Sequence, residues 1–189
     1  MNFKVGFLSI ALILVNNCLY SVTITSSDSG EILSQRYDDP LIFYVKDGVV
    51  DDIKADSTIV ASVVDFSSSE KYETAAMRFS QNGGGHYTNF DFKNVSVSSH
   101  LVPNSTKRSY SFGIRSYGDI ASFNFLNCSF SGSCFAKSKT CITPTVQAYG
   151  FCNQNSIRDS SFVSNSFTGV AVGNTADDIS NLVRSFGFI

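Results

Sequence analysis

An aromatic residue, a glycine and an apolar residue follow one another three times in this chain, as Phe112-Gly113-Ile114, Tyr149-Gly150-Phe151 and Phe186-Gly187-Phe188, at an interval of 37 residues. One further step back lands on Ala75-Ala76-Met77, and Ala76-Met77-Arg78 matches Gly113-Ile114-Arg115 down to the arginine. The repeat therefore opens near Thr74. Self-similarity at a period of roughly 20 to 50 residues marks a stacked architecture, in which each unit buries its apolar face only against its neighbours. This points to a way of building a molecule before it points to an activity.

A second motif lies inside the repeats. The run Phe90-Asp91-Phe92-Lys93-Asn94-Val95-Ser96-Val97 aligns position for position with Phe123-Asn124-Phe125-Leu126-Asn127-Cys128-Ser129-Phe130, and Ile157-Arg158-Asp159-Ser160-Ser161-Phe162 is a fainter third copy. Phe90 and Phe92 share one face of a strand, whereas Val97 has the opposite parity, as Phe130 does relative to Phe123 and Phe125. One left-handed residue at Asn94 and at Asn127 resets the face and turns the later residue inward. Asparagine and aspartate tolerate that conformation best among non-glycine residues, which accounts for Asp159 in the third copy. Strand, corner, strand and loop, repeated with little helix, specify an all-β fold, a right-handed parallel β-helix filled by stacked side chains, its hand following the general rule for parallel crossovers. Seventeen phenylalanines and no tryptophan suit a narrow interior. The alternative is an antiparallel β-sandwich, which also reads as many short strands with turn signals. From Ala76, Gly113 and Gly150 to Asn94, Asn127 and Asp159 the distances are 18, 14 and 9 residues, so the coils are unequal and the common 37 arises partly from compensating loops.

Residues 22–74 lack the aromatic-glycine repeat and are expected to form an N-terminal cap with the first turn of the stack, with β-type runs at Val22 to Thr25, Leu41 to Val45 and Thr58 to Phe66. Residues 75–189 hold the coils. Ile179, Leu182, Val183 and Phe186 follow helical spacing behind Asp177, predicting a short capped helix. The run Ser185-Phe186-Gly187-Phe188-Ile189 looks like the opening strand of another coil without a polar cap. Such an edge is expected to dock, to continue or to self-associate.

Lys4 followed by an apolar run from Val5 to Val15 predicts a secretory signal over residues 1–21. The run is too short for a comfortable membrane span, and no later stretch approaches the required length. Asn16 and Asn17 disfavour lipidation at Cys18. Charged residues are 16% of the chain and the net charge is −2, which argues against an electrostatic nucleic-acid binder with its basic stripe. Cys128, Cys134, Cys141 and Cys152 remain after the signal. An even number in an exported chain predicts two disulfides of open connectivity; their spacings and the distance from His86 and His100 disfavour zinc. Sequons at Asn94, Asn104 and Asn127 are glycosylation candidates, and corner placement of Asn94 and Asn127 predicts that neither carries a glycan.

The Phe-x-Phe-x-Asn-x-Ser-apolar copies, together with Phe162-Val163-Ser164-Asn165, resemble right-handed parallel β-helix proteins over residues 75–189. This group includes pectin-lyase-like enzymes and pathogen surface proteins of the polymorphic-membrane-protein type. The Gly-Gly-Ala-aliphatic element of the latter is absent, with Gly83-Gly84-Gly85-His86 a loose substitute. The resemblance implies two kinds of function. Polysaccharide hydrolases and lyases of this fold gather carboxylates on one outer face, for which Asp119, Asp159, Asp177 and Asp178 are the catalytic candidates. Asn174-Thr175 before Asp177-Asp178 is superficially similar to polygalacturonase elements, but the Gly-His-Gly is missing and Asp177 and Asp178 fit helix capping better. No phosphate loop, nucleophile elbow, cofactor motif or metal-ligand set is present. The favoured expectation is a secreted or cell-surface protein with a non-catalytic binding or adhesion role towards a glycan or an extracellular protein. A carbohydrate-active lyase or hydrolase is the alternative, and a fragment of a larger adhesin a third. Self-association through the C-terminal edge is the remaining partner expectation.

Overall fold

The computed structural model describes residues 22–28, 30, 32–45, 49–65, 73–81, 86–102, 108–135, 145–172 and 182–189. Apart from a 3-10 turn at Ser26–Asp28, its regular structure is all strand, and the strands stack in four sheets. Sheet I holds Val22–Ile24, Leu41–Val45, Glu73–Gln81, Ser109–Ser116, Thr145–Asn153 and Leu182–Phe188. Sheet II holds Val49–Asp51, His86–Thr88, Asp119–Ala121 and Ile157–Arg158. Sheet III holds Ile32–Leu33, Lys54–Asp56, Asp91–Lys93, Asn124–Leu126 and Ser161–Val163. Sheet IV holds Arg36–Tyr37, Ile59–Asp65, Ser96–Val102, Ser129–Phe135 and Ser166–Val172. After a first round that passes from I to III and IV, the chain visits I, II, III and IV in turn, and all pairing among the described strands is parallel. This is a parallel β-helix, and the antiparallel sandwich is excluded. Strands of residues 22–65 enter all four sheets.

Single left-handed residues make two corners in each of the last four coils. Asp52, Asn89, Ser122 and Asp159 separate sheet II from sheet III, and Ser57, Asn94, Asn127 and Ser164 separate sheet III from sheet IV, all with φ between 50° and 56°. The turn does not interrupt the ladder, because the corner N–H groups of the coils before the last still bond to the next coil: Asn89 to Ala121 O, Asn94 to Leu126 O, Asn127 to Val163 O. The following residue then points inward, so Phe90, Val95, Phe123 and Cys128 are all buried. The predicted conformation holds at Asn94, Asn127 and Asp159, but the third copy is misregistered. Asp159 belongs to the first corner row, Ile157 pairs with Ile120, and the partner of Phe125 is Phe162. Ser164 is the left-handed residue of that copy. Asn165 fastens it to the coil below, accepting the Cys128 N–H at 2.8 Å and donating to Phe125 O at 3.0 Å.

The core is a set of ring ladders. Phe90 stacks on Phe123 at 4.4 Å and Phe125 on Phe162 at 5.1 Å, while Phe92 meets Phe125 edge-on at 5.4 Å. Phe43 stacks on Phe79 at 4.7 Å, and Tyr87 donates its buried hydroxyl to Phe43 O. The unequal coils are visible in register, with Phe92 and Phe125 33 residues apart where Phe112 and Tyr149 are 37 apart. Leu182–Phe188 is a strand paired with Thr145–Asn153, which corrects the helix expected there; residues 177–181 lie outside the described residues. Helical spacing lost to the open edge of sheet I, which offers this segment a row of backbone partners.

The cysteine expectation is also corrected. Cys128, Cys134 and Cys152 are free and buried. They sit in three separate clusters, Cys128 in the main core, Cys134 against Leu101, Val146 and Ala148, and Cys152 beside Phe112 on the outside of sheet I. Cys141 lies outside the described residues.

Candidate functional site

The aromatic-glycine interval builds the outer face of sheet I. Along Ser109–Ser116, Ser111 and Ile114 both face inward although their parity differs, because the register passes from Phe112 to Ile114 and skips Gly113. A Cβ on Gly113 would lie 2.5 Å from Gly150 O and 2.8 Å from Ser131 N, so glycine here lets sheet I approach the backbone of sheet IV. The kink puts Tyr110 and Phe112 on the same outer face as Arg115. Repeated one coil on, it produces an outer ladder in which Phe112 stacks on Tyr149 at 4.8 Å and Tyr149 on Phe186 at 5.0 Å.

Ion pairs are threaded through this ladder. Glu73 binds the guanidinium groups of both Arg115 and Arg78, the latter at 2.9 Å, and accepts the Tyr117 hydroxyl at 3.1 Å. The Arg115 guanidinium lies between two rings, 4.4 Å from the Phe112 centroid and 4.5 Å from that of Tyr117. Burial and then the Glu73 charge push the Tyr117 hydroxyl above its ordinary pKa, and burial does the same for Tyr149, which donates to Gln147 Oε1. Both phenols therefore stay protonated and act as donors. A signal for this network is in the sequence. Residues 37 apart on sheet I are coil neighbours, so Arg78 and Arg115 must sit one strand spacing apart and require a carboxylate.

The carboxylates proposed for catalysis are not brought together. Asp119 lies on sheet II and accepts the Ser156 hydroxyl at 2.7 Å, with His86 Nδ1 at 3.4 Å from its other oxygen. The order Ser, Asp, His puts the carboxylate in the middle, so the serine has no imidazole to receive its proton. Asp159 occupies a corner on another row, and Asp177 and Asp178 lie outside the described residues. Neighbouring carboxylates are tied up between coils, Asp51 by Thr88 and Asn89, Asp56 by Asn94, and Asp91 by Asn124. Hydrogen bonding holds Asp51, Asp56 and Asp119 below the ordinary carboxylate range, the opposite of what a general acid needs. His100 is a strand residue whose Nδ1 lies 2.8 Å from Ser133 Oγ.

Among the glycosylation candidates, Asn94 and Asn127 are exposed and Asn104 lies outside the described residues. Among the described residues no group of His, Cys, Asp and Glu is placed to hold a metal ion, and no helix is long and apolar enough to cross a membrane. The fold and this face define a parallel β-helix with an aromatic and arginine-bearing side. Comparison with protein-family models, curated proteins and solved structures gives no match.

Proposed function

We propose that this chain is a secreted or cell-surface β-helix protein with a non-catalytic binding role, and that its glycan or protein ligand docks on the outer face of sheet I. The observation that carries this reading is the concentration of Tyr110, Tyr149, Phe186, Arg78, Arg115 and Arg184 on one side of the stack. Tyrosine, other aromatics and arginine dominate recognition energetics because they supply large contact area with few rotatable bonds. A lyase or hydrolase of pectin-lyase-like type is disfavoured by the dispersal of Asp119 and Asp159 onto separate rows. The same face would serve within a longer adhesin. Screening the purified chain against glycan arrays and immobilised extracellular proteins tests the reading: Tyr149→Ala or Phe186→Ala is expected to weaken binding by about tenfold or more. Undiminished binding by both variants would move the site elsewhere, and release of unsaturated or reducing ends from pectin-like polysaccharides would overturn the non-catalytic role.

A further inference from the structure

Charge on the outside of the stack is divided by face. The described strands of sheet I contain Arg78, Arg115 and Arg184 and one carboxylate, Glu73. Sheets II and III with their first corner row carry Asp51, Asp52, Asp56, Asp91, Asp119 and Asp159, against Lys54, Lys93 and Arg158. Glu73 is shared by Arg78 and Arg115, which leaves that cluster with a positive excess. Arg184 is exposed and forms no ion pair among the described residues.

The aromatic ladder adds to this polarity. Phe112, Tyr149 and Phe186 stack with interplanar angles of 12° and 10°, so each ring covers the face of the next. Phe112 is buried, so what the ladder turns outward is the ring edge of Tyr149 and Phe186, the positive pole of the aromatic quadrupole. Sugar recognition by C–H stacking needs an open ring face, and along this ladder only the outer face of Phe186 lacks a stacked neighbour among the described residues. Ring edges beside guanidinium groups instead complement carboxylates, which arginine binds in a two-pronged, charge-assisted geometry.

We infer that the ligand of this face is an Asp- and Glu-rich segment of an extracellular protein. The inference rests on the docking face proposed above and adds the chemistry of its partner. The full secreted chain is titrated with poly-L-glutamate, polygalacturonate and heparin in parallel. Poly-L-glutamate is expected to bind, to weaken as ionic strength rises, and to lose about tenfold or more in affinity with Arg184→Glu, while Arg184→Lys, which keeps the charge but not the two-pronged geometry, falls between the two. Arg158→Glu makes the same charge change on sheet II and is expected to leave binding unaltered. Unchanged melting temperatures for these exposed substitutions separate lost contacts from lost folding. Failure of poly-L-glutamate to bind, or equal binding by wild type and Arg184→Glu, overturns the inference. Tighter Arg184-dependent binding of polygalacturonate or heparin, or a neutral ligand lost with Tyr149→Ala, also overturns it while leaving the docking face in place.

Discussion

Each left-handed corner holds an L-residue against a preference of about 1–2 kcal/mol, and in the coils before the last the corner N–H to the next coil helps keep it there. Ser122 is the plainest case, exposed and at φ 56°. Replacing it with glycine removes the Cβ conflict but adds unfolded-state entropy, so Ser122→Gly is expected to lie between neutral and about 1 kcal/mol stabilising, and Ser122→Ile to destabilise by about 1–2 kcal/mol, in denaturant titrations. The thiols give a second prediction. Burial pushes Cys134 up to about 12, and raises Cys128 and Cys152 as well. In the folded chain at mildly alkaline pH all three are expected to resist alkylation, and all three to react on unfolding without reductant. Mass spectrometry finding fewer modified sites among these residues would show a disulfide involving one of them, to another of the three or to Cys141.

Strand by strand, the molecule depends on two kinds of close approach. The ring ladders fill the interior, and Phe125→Ala, which empties a site touching Phe92, Phe130 and Phe162, is expected to cost about 3–5 kcal/mol. The glycine kinks bring sheets I and IV together. A Cβ on Gly150 would stand 2.6 Å from both Gly187 O and Thr168 N, backbone atoms with no room to yield, so Gly150→Ala is expected to destabilise more than an exposed alanine substitution and to perturb the outer aromatic ladder. The polar rows of sheet II add a pH dependence. Ser156 holds Asp119 below its ordinary value of 3.8, so this stabilisation is complete above that pH and is lost as pH falls through the lower folded value. Asp119→Asn is expected to flatten the acid limb of the stability curve, measured by thermal melts from pH 5 down to pH 2.

The two ends of the stack differ. Ile24, Leu33 and Tyr37 close one end and are buried. At the other, Ile157–Arg158, Ser161–Val163, Ser166–Val172 and Leu182–Phe188 are, among the described residues, the outermost strands of their sheets, and Phe188 is 46% exposed where its ladder partners Ile114 and Phe151 are at 0%. Unpaired strand edges of this kind recruit other strands. The 189-residue chain is expected to show concentration-dependent association in sedimentation velocity, reduced by Phe188→Lys; a monomer at all concentrations would refute pairing through this end.

Sequence alone pointed to stacked β coils, since parity around Asn94 and Asn127 admits a single-residue corner and the repeat marks coils of unequal internal layout, but it left the antiparallel sandwich open until the parallel strand pairing decided it. It also contained the kink, as aromatic-glycine-apolar, without showing that glycine serves the approach of sheet IV. Tertiary structure decided the rest. The third copy slipped because each coil has two corner rows five residues apart, and Asp159 satisfies the local rule of either; only stacking of Phe162 on Phe125 chooses. Leu182 to Phe186 carries a helical pattern and forms a strand because its hydrogen-bond partners lie 37 residues away on Thr145–Asn153. The even cysteine count suggested pairing, but pairing depends on position around the coil, and three thiols placed in three clusters cannot meet. Local chemistry sets what each residue tolerates, and contacts between coils select among the alternatives that remain.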